Sequence, residues 1–217
     1  MGHERAHYIP AAGHDLLLPL YDPVLRLLIR ERVFRNRFLD QADIRPDDHV
    51  LDLGCGTGTM ALLIREQRTE SIVVGVDGDP RALAVARRKV EQAGQTIQFD
   101  ESFADRLPYP NGSFDRVLSS LVFHHLTHDD KLAAMREVLR VLKPGGWFHL
   151  ADFGPPVGRY ATFLARLTTP GERLRENLDG RLPGLMTEAG FATVQQRGHH
   201  NTLFGTFAFF AASAGGV

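Results

Sequence analysis

The stretch "HVLDLGCGTGTMALLI", His49 to Ile64, decides the fold. An apolar run ends in three glycines spaced two apart, Gly54, Gly56 and Gly58, and helical spacing resumes at once. A short apolar run before a glycine-rich turn and a helix reads as the first strand–turn–helix unit of an open parallel sheet. The later chain repeats the rhythm. Val50–Leu53, Ile72–Val76, Val117–Leu121 and Trp147–Ala151 are short apolar runs suited to strands buried on both faces. Between them Thr59–Arg68, Arg81–Ala93 and Lys131–Leu142 carry helical spacing. Strand and helix in alternation predict parallel strands with right-handed crossovers. Asp79-Pro80 supplies a cap and a first-turn proline for the second of these helices, and Lys143-Pro144-Gly145-Gly146 ends the third.

The 217 residues, 43% of them hydrophobic, are enough for one substantial core. A formal net charge of −1 offers no general attraction for nucleic acid. The single cysteine, Cys55, excludes an intrachain disulfide and fits a reducing compartment. The first residues lack signal-peptide form, and no run approaches the ~20 apolar residues of a membrane span. A cytoplasmic protein, in contact with a membrane at most peripherally, is the expectation. The tail departs from the α/β rhythm: "FATVQQRG" and "NTLFGTFAFFAAS" predict an antiparallel hairpin turning at His199-His200-Asn201. Leu16–Leu39 reads as one or two amphipathic helices, and Pro155–Arg181 as an insertion after the strand ending near Asp152. Both are candidates for a lid, carrying Tyr21, Phe34, Phe38, Tyr160 and Phe163.

In such a sheet the ligand crevice lies at the carboxyl ends of the strands, where the strand order reverses. The spacing G-x-G-x-G differs from the dinucleotide fingerprint G-x-G-x-x-G. Asp77, about 19 positions past Gly58, stands near the ~20-residue offset of a carboxylate that receives ribose hydroxyls. Asp52, inside the first strand, would cost several kcal/mol to bury without a partner. It would repel a pyrophosphate and attract an ammonium. S-adenosylmethionine carries an ammonium and a sulfonium and no phosphate, and suits this pair of acids better than a nicotinamide dinucleotide does.

At this point "VLDLGCGTG", "GVDGDP", "LPYPNGSFDRVLSS", "FHHL" and "EVLRVLKPGGWFHLADFG" resemble the successive motifs of class I S-adenosylmethionine-dependent methyltransferases, most closely the type 11 group with the ubiquinone and menaquinone C-methyltransferases. The resemblance covers about residues 47–153. It implies a doubly wound, mostly parallel seven-stranded sheet of Rossmann-like form, closed by a C-terminal antiparallel hairpin and covered by helical lid elements. It also implies one domain: a helical lid over 1–46, a cofactor-binding core over 47–153, a lid insertion over 154–181, and a helix and hairpin over 182–217. Asp52 and Gly54 would face the methionyl end of S-adenosylmethionine, Cys55, Gly56 and Gly58 would give it close backbone, and Asp77 would take the ribose hydroxyls. Gly78 would lie against ribose and adenine, with Ser119 and Ser120 at the end of the strand opposite. Where the family usually reads Gly-Asp-Ala before "LP", this chain has Ser102-Phe103-Ala104, so Phe103 and Ala104 would meet the adenine, leaving its amino group to backbone carbonyls or the nearby Asp105.

His124 and His125 follow the Val117–Leu121 strand at the mouth where a methyl acceptor would sit, and either could position it or take its proton. Loop packing is the bland alternative. His124 and His128 could share a metal on one helix face, but no third ligand has dependable spacing, and no metal is expected. Cys55 has no base beside it, Asp79 reads as a cap, and Asp115 opens its strand at the end away from the crevice. The expected activity is methyl transfer to a small apolar or aromatic acceptor by a monomer or homodimer. Two alternatives stay open: a non-catalytic S-adenosylmethionine-binding partner subunit and, further off, a nicotinamide-dependent oxidoreductase.

Overall fold

The computed structural model describes residues 31–167 and 171–216. A seven-stranded sheet has the order β3-β2-β1-β4-β5-β7-β6. Its strands are β1 (His49–Leu53), β2 (Ile72–Asp77), β3 (Gln98–Glu101), β4 (Phe114–Ser120), β5 (Leu142–Phe153), β6 (Thr193–Thr202) and β7 (Gly205–Ser213). β1 to β5 pair in parallel, and β7 runs antiparallel between β5 and β6. The order reverses between β1 and β4, so the glycine turn after β1 and the loop after β4 flank one crevice.

Helices cover both faces. On one lie α1 (Glu31–Gln41), α2 (Thr59–Gln67) and α3 (Pro80–Gln92), whose Phe34, Phe38, Met60, Ile64, Leu83 and Ala86 form one core cluster. On the other lie α4 (His128–Val141) and α7 (Leu182–Ala189), whose Leu132, Met135, Val138, Leu185 and Met186 belong to a second. β7 serves both by alternation: Phe207 and Phe209 join the first cluster, Ala208, Phe210 and Ala212 the second. The Phe34 ring lies 5.4 Å from Phe207 and 5.6 Å from Phe209, which fixes α1 over the hairpin. The insertion after β5 supplies α5 (Arg159–Leu167) and α6 (Glu172–Leu178). Of the proposed Leu16–Leu39 lid only the part from Glu31 onward is described, and Tyr21 lies outside the described residues.

Three boundaries differ from the sequence reading, each for a local reason. α4 begins at His128 because Thr127 and Asp130 form a reciprocal capping box. Lys143–Gly146 bulge out of β5: Leu142 pairs with Phe114, and pairing resumes at Trp147 with Arg116. The hairpin turns at Leu203-Phe204 and not at His199–Asn201. There the Thr202 hydroxyl accepts from the Phe204 N–H at 3.1 Å and donates to the Gly205 carbonyl at 3.0 Å, and Gly205 adopts φ +132°. Asp79 caps α3 as expected, accepting from the Arg81 N–H at 2.8 Å, with Pro80 in the first turn.

His149, on β5, is buried and its Nε2 has no hydrogen-bond partner. Burial first, then the charges of Arg116 and Arg197, lower its imidazole to about 3. The folded state therefore refuses a proton that the unfolded chain binds below about 6.5, so stability falls as pH drops from 6.5 toward 3, at about 1.4 kcal/mol per pH unit. His149→Leu should remove this slope. Urea unfolding at pH 7 and pH 5 should show the variant losing about 2 kcal/mol less than the parent between the two. Equal losses would mean the imidazole is hydrated in the folded state.

Candidate active site

The glycine turn is built by contacts within the protein. A Cβ on Gly54 would meet Val122 at 2.3 Å, and one on Gly58 would meet Ala86 at 2.8 Å, so both glycines are required by packing. A Cβ on Gly56 would meet nothing within 4 Å, and its φ is +52°, so Gly56 is the member that opens a face to a ligand. Four of the turn's five amides are already engaged. Gly54 and Cys55 donate to the Val76 carbonyl at 2.8 and 3.0 Å, Gly56 donates to Asp77 Oδ2 at 2.8 Å, and Gly58 donates to the Cys55 carbonyl at 2.9 Å. A pyrophosphate needs such N–H groups pointed at it, and four of the five in this turn are engaged within the protein.

What the turn offers is negative. Asp52 is 1% exposed and its Oδ2 has no hydrogen-bond partner. Burial raises its carboxyl to about 7 against the pull of Arg35. An ammonium placed at Oδ2 would supply the missing partner and hold the carboxylate ionised. Asp77 accepts from the Gly56 and Asp79 N–H groups at 2.8 and 2.9 Å. These two bonds orient it while leaving lone pairs for a ribose diol. Burial raises its carboxyl, opposed by those same donors. The residues present thus fit S-adenosylmethionine: an orphaned acid for the ammonium, an oriented acid for the ribose, and an uncovered backbone at Gly56 between them.

Cys55 is 7% exposed, among the residues of the α1–α3 cluster, and burial pushes its thiol far up. Its side chain is core, and only its backbone borders the crevice. The Ser119 hydroxyl is buried and donates to the Leu53 carbonyl at 2.9 Å, tying β4 to β1, while Ser120 ends β4 half-buried. The Phe103 ring covers Gly78, where a Cβ would meet it at 2.7 Å, and is 57% exposed. Its loop is tied to Asp77 by the Ser102 N–H, which donates to the Asp77 carbonyl at 3.1 Å. Ala104 follows, half-buried, and the Asp105 side chain faces outward. Stacking against a base contributes roughly 1–3 kcal/mol. Phe103→Ala should accordingly weaken S-adenosylhomocysteine binding at least fivefold in calorimetry, with Asp105→Asn within twofold of the parent. The reverse pattern would move the adenine contact to Asp105.

The acceptor side is organised by a residue that sequence reasoning passed over. Asp152, at the end of β5, has no exposed surface and accepts from five donors. Oδ2 takes the Phe123 and His124 N–H groups at 2.8 and 3.3 Å. Oδ1 takes the Phe153 N–H at 2.7 Å, Asn177 Nδ2 at 3.2 Å and His124 Nδ1 at 2.9 Å. Because a carboxylate only accepts, His124 Nδ1 is the donor, and in the neutral imidazole the lone pair falls on Nε2. The turn that presents His124 is strained: Leu121 sits at φ +60° and is held by its N–H to the Ala151 carbonyl at 2.9 Å. The His125 ring lies 3.9 Å from that of His124, tilted by 42° to it, and has no carboxylate of its own. Desolvation and the neighbouring His124 lower it to about 4. His128 points elsewhere, 2.7 Å from Glu176 Oε1, so the three histidines do not converge. The buried Lys131 donates to Glu176 Oε2 and to the Arg173 carbonyl, both at 2.8 Å, and Arg173 donates to the His125 carbonyl at 3.0 Å. These bonds pin α6 over the histidine turn, beside an open cleft of about 1230 Å³ lined by His124, Thr127, His128 and α6. Asp115 accepts from the His49 N–H and Lys143 far from this crevice, a structural role.

The family described as "Methyltransferase domain" matches residues 50–146. A demethylmenaquinone methyltransferase of Thermus thermophilus is 39% identical over 64% of this chain, and the match spans 64% of that protein, just under two thirds of its length. A ubiquinone/menaquinone biosynthesis C-methyltransferase of Xanthomonas campestris is 34% identical over 80% of this chain and 76% of its own length. Among solved structures, an S-adenosylmethionine-dependent methyltransferase from Aquifex aeolicus superposes with a TM-score of 0.67 at 19% identity, over 91% of this chain and 96% of that one, a likeness of fold. Neither the nicotinamide reading nor that of a non-catalytic subunit is favoured by these relatives. With the orphaned Asp52, the oriented Asp77 and the uncovered Gly56 in place, the chain belongs to the class I S-adenosylmethionine-dependent methyltransferases, and within them it resembles the ubiquinone/menaquinone C-methyltransferases.

Proposed function

We propose that the protein methylates a ring carbon of a hydroxylated, quinol-type aromatic acceptor, with His124 as the base. The observation that carries the reading is the His124 Nδ1 bond to the buried Asp152, which leaves Nε2 as an acceptor at the mouth of the crevice. The two quinone-methyltransferase relatives supply the acceptor class. When bound, S-adenosylmethionine supplies an electrophilic methyl group whose sulfonium leaves as a neutral sulfide. His124 Nε2 takes the proton of the acceptor hydroxyl, and the oxygen's electrons raise the nucleophilicity of the adjacent ring carbon. That carbon bonds the methyl and then releases its own proton to solvent, restoring the aromatic ring, while the imidazolium returns its proton to the oxygen. Asp152 stabilises the imidazolium formed in the first step. Phe153, its ring 5.0 Å from His124 and edge-on to it, gives the base one apolar wall.

Incubation with methyl-labelled S-adenosylmethionine and a panel of demethylated quinols, phenols and amines tests this. Label on a ring carbon of the quinols, located by NMR, is the expected product. Label on oxygen or nitrogen with the quinols left unchanged would replace this function by another methyl transfer.

A further inference from the structure

Five of the nine large hydrophobic side chains exposed among the described residues gather at one corner: Val157, Tyr160, Phe163, Leu203 and Phe204, each between 39% and 58% exposed. Hydrogen bonds establish that they adjoin. The Tyr160 hydroxyl donates to the Leu203 carbonyl at 3.3 Å, the Val157 N–H to Thr206 Oγ1 at 3.0 Å, and Asn201 Nδ2 to the Val157 carbonyl at 3.1 Å. On α5, Ala161 turns inward at 5% exposed, while Tyr160 and Phe163, three apart, share the outward face. Scattered exposed apolar residues need no explanation; a contiguous group does.

The charge around this corner is one-sided. No Asp or Glu occurs from Gly154 to Gly171 or from Gly190 to Val217, and Arg159, at the start of α5, is exposed. Arg37 of α1 reaches the same hairpin, donating to the His199 carbonyl at 3.4 Å. The corner also lies at the edge of the sheet that holds the active site. Phe207 pairs with Phe153 at the carboxyl end of β5, so the Leu203-Phe204 turn projects beyond that edge. The Phe153 ring lies 4.8 Å from Phe207 and 5.0 Å from His124, an apolar link between the corner and the base.

We infer that this corner is a docking surface for an anionic lipid bilayer, with the Leu203-Phe204 turn and the outer face of α5 entering the headgroup region while the arginines meet the lipid charge. Aromatic and aliphatic side chains combined with basic residues are the chemistry that binds such an interface without spanning it. Among the described residues no helix is long and apolar enough to cross a membrane. The surface does not depend on the quinol reading, but it adds to it: an acceptor with an apolar substituent would approach His124 from the lipid side.

The test is co-sedimentation of the full chain with phosphatidylcholine vesicles, with and without about one third phosphatidylglycerol, and no acceptor present. Partitioning onto the anionic vesicles should be at least fivefold greater, and high salt, which shortens the screening length, should reduce it. The double variant Leu203→Asp/Phe204→Asp should lose at least tenfold in partitioning with S-adenosylhomocysteine affinity and melting temperature unchanged, and Arg159→Glu should weaken the preference for anionic vesicles. Absence of vesicle binding, or a double variant that binds like the parent, overturns the inference. So does a patch occupied by a second copy, seen as self-association that the double variant abolishes without any vesicle binding. Each of these leaves the methyl-transfer product, assayed separately, as it was.

Discussion

Asp77→Ala is expected to lose at least 100-fold in affinity for S-adenosylhomocysteine. Two hydroxyl-to-carboxylate hydrogen bonds at about 1.5–3 kcal/mol each set the scale, since about 1.4 kcal/mol is tenfold in Kd. The geometry adds a second source of loss. The same carboxylate holds the Gly56 N–H at 2.8 Å and the Asp79 N–H at 2.9 Å, so its removal also loosens the one glycine that opens toward the ligand. Asp77→Asn separates the two effects, because the amide oxygen can keep one backbone donor while the charge is gone. Its loss should fall between those of the parent and the Ala variant. Calorimetric titration of all three checks this. An Ala variant that titrates like the parent would mean that the ribose binds elsewhere and that Asp77 only shapes the turn.

The parallel core was legible because β1, β2, β4 and β5 are largely buried on both faces and read as short, mostly apolar runs. β3 was not, because Gln98–Glu101 is a four-residue edge strand with only Phe99 buried, and its sequence looks like a polar loop. The start of α4 was written in Thr127 and Asp130, but a capping box shows only when the two are read together, ahead of the apolar spacing. The cofactor side was legible through Asp52 and Asp77, since a charge within an apolar strand demands a partner. The same signal stood in "LADF", where Asp152 ends β5, and could have marked it as functional. What no local pattern could reveal is whom Asp152 meets: His124 lies 28 positions before it and Asn177 25 after. In sequence His124 and His125 are equivalent. In space one is bound to a buried carboxylate and the other is held neutral down to about pH 4.

That difference sets the other large effect. His124→Ala should lower turnover on a quinol acceptor by about 10²–10⁴-fold, the range of general base catalysis, equivalent to ~3–5 kcal/mol of barrier. S-adenosylhomocysteine affinity should stay within threefold, because His124 borders the acceptor and not the glycine turn. His125→Ala should stay within a few fold in both. The acid limb of the kcat–pH profile, where the rate falls as the base is protonated, should persist in His125→Ala and vanish in His124→Ala, since an imidazole lowered to about 4 cannot produce a limb above pH 5. Asn177 extends the argument one residue outward. Its Nδ2 shares Asp152 Oδ1 with His124 Nδ1, so it positions the carboxylate and touches no substrate. Asn177→Ala should therefore lower kcat about tenfold with KM little changed and shift the pH limb, while Asn177→Gln, which retains a donor, recovers part of the rate. A loss confined to stability, with an unmoved limb, would make Asn177 packing alone. Full turnover in His124→Ala, on an acceptor the parent methylates, would reduce the His124–Asp152 pair to a tether for the loop after β4.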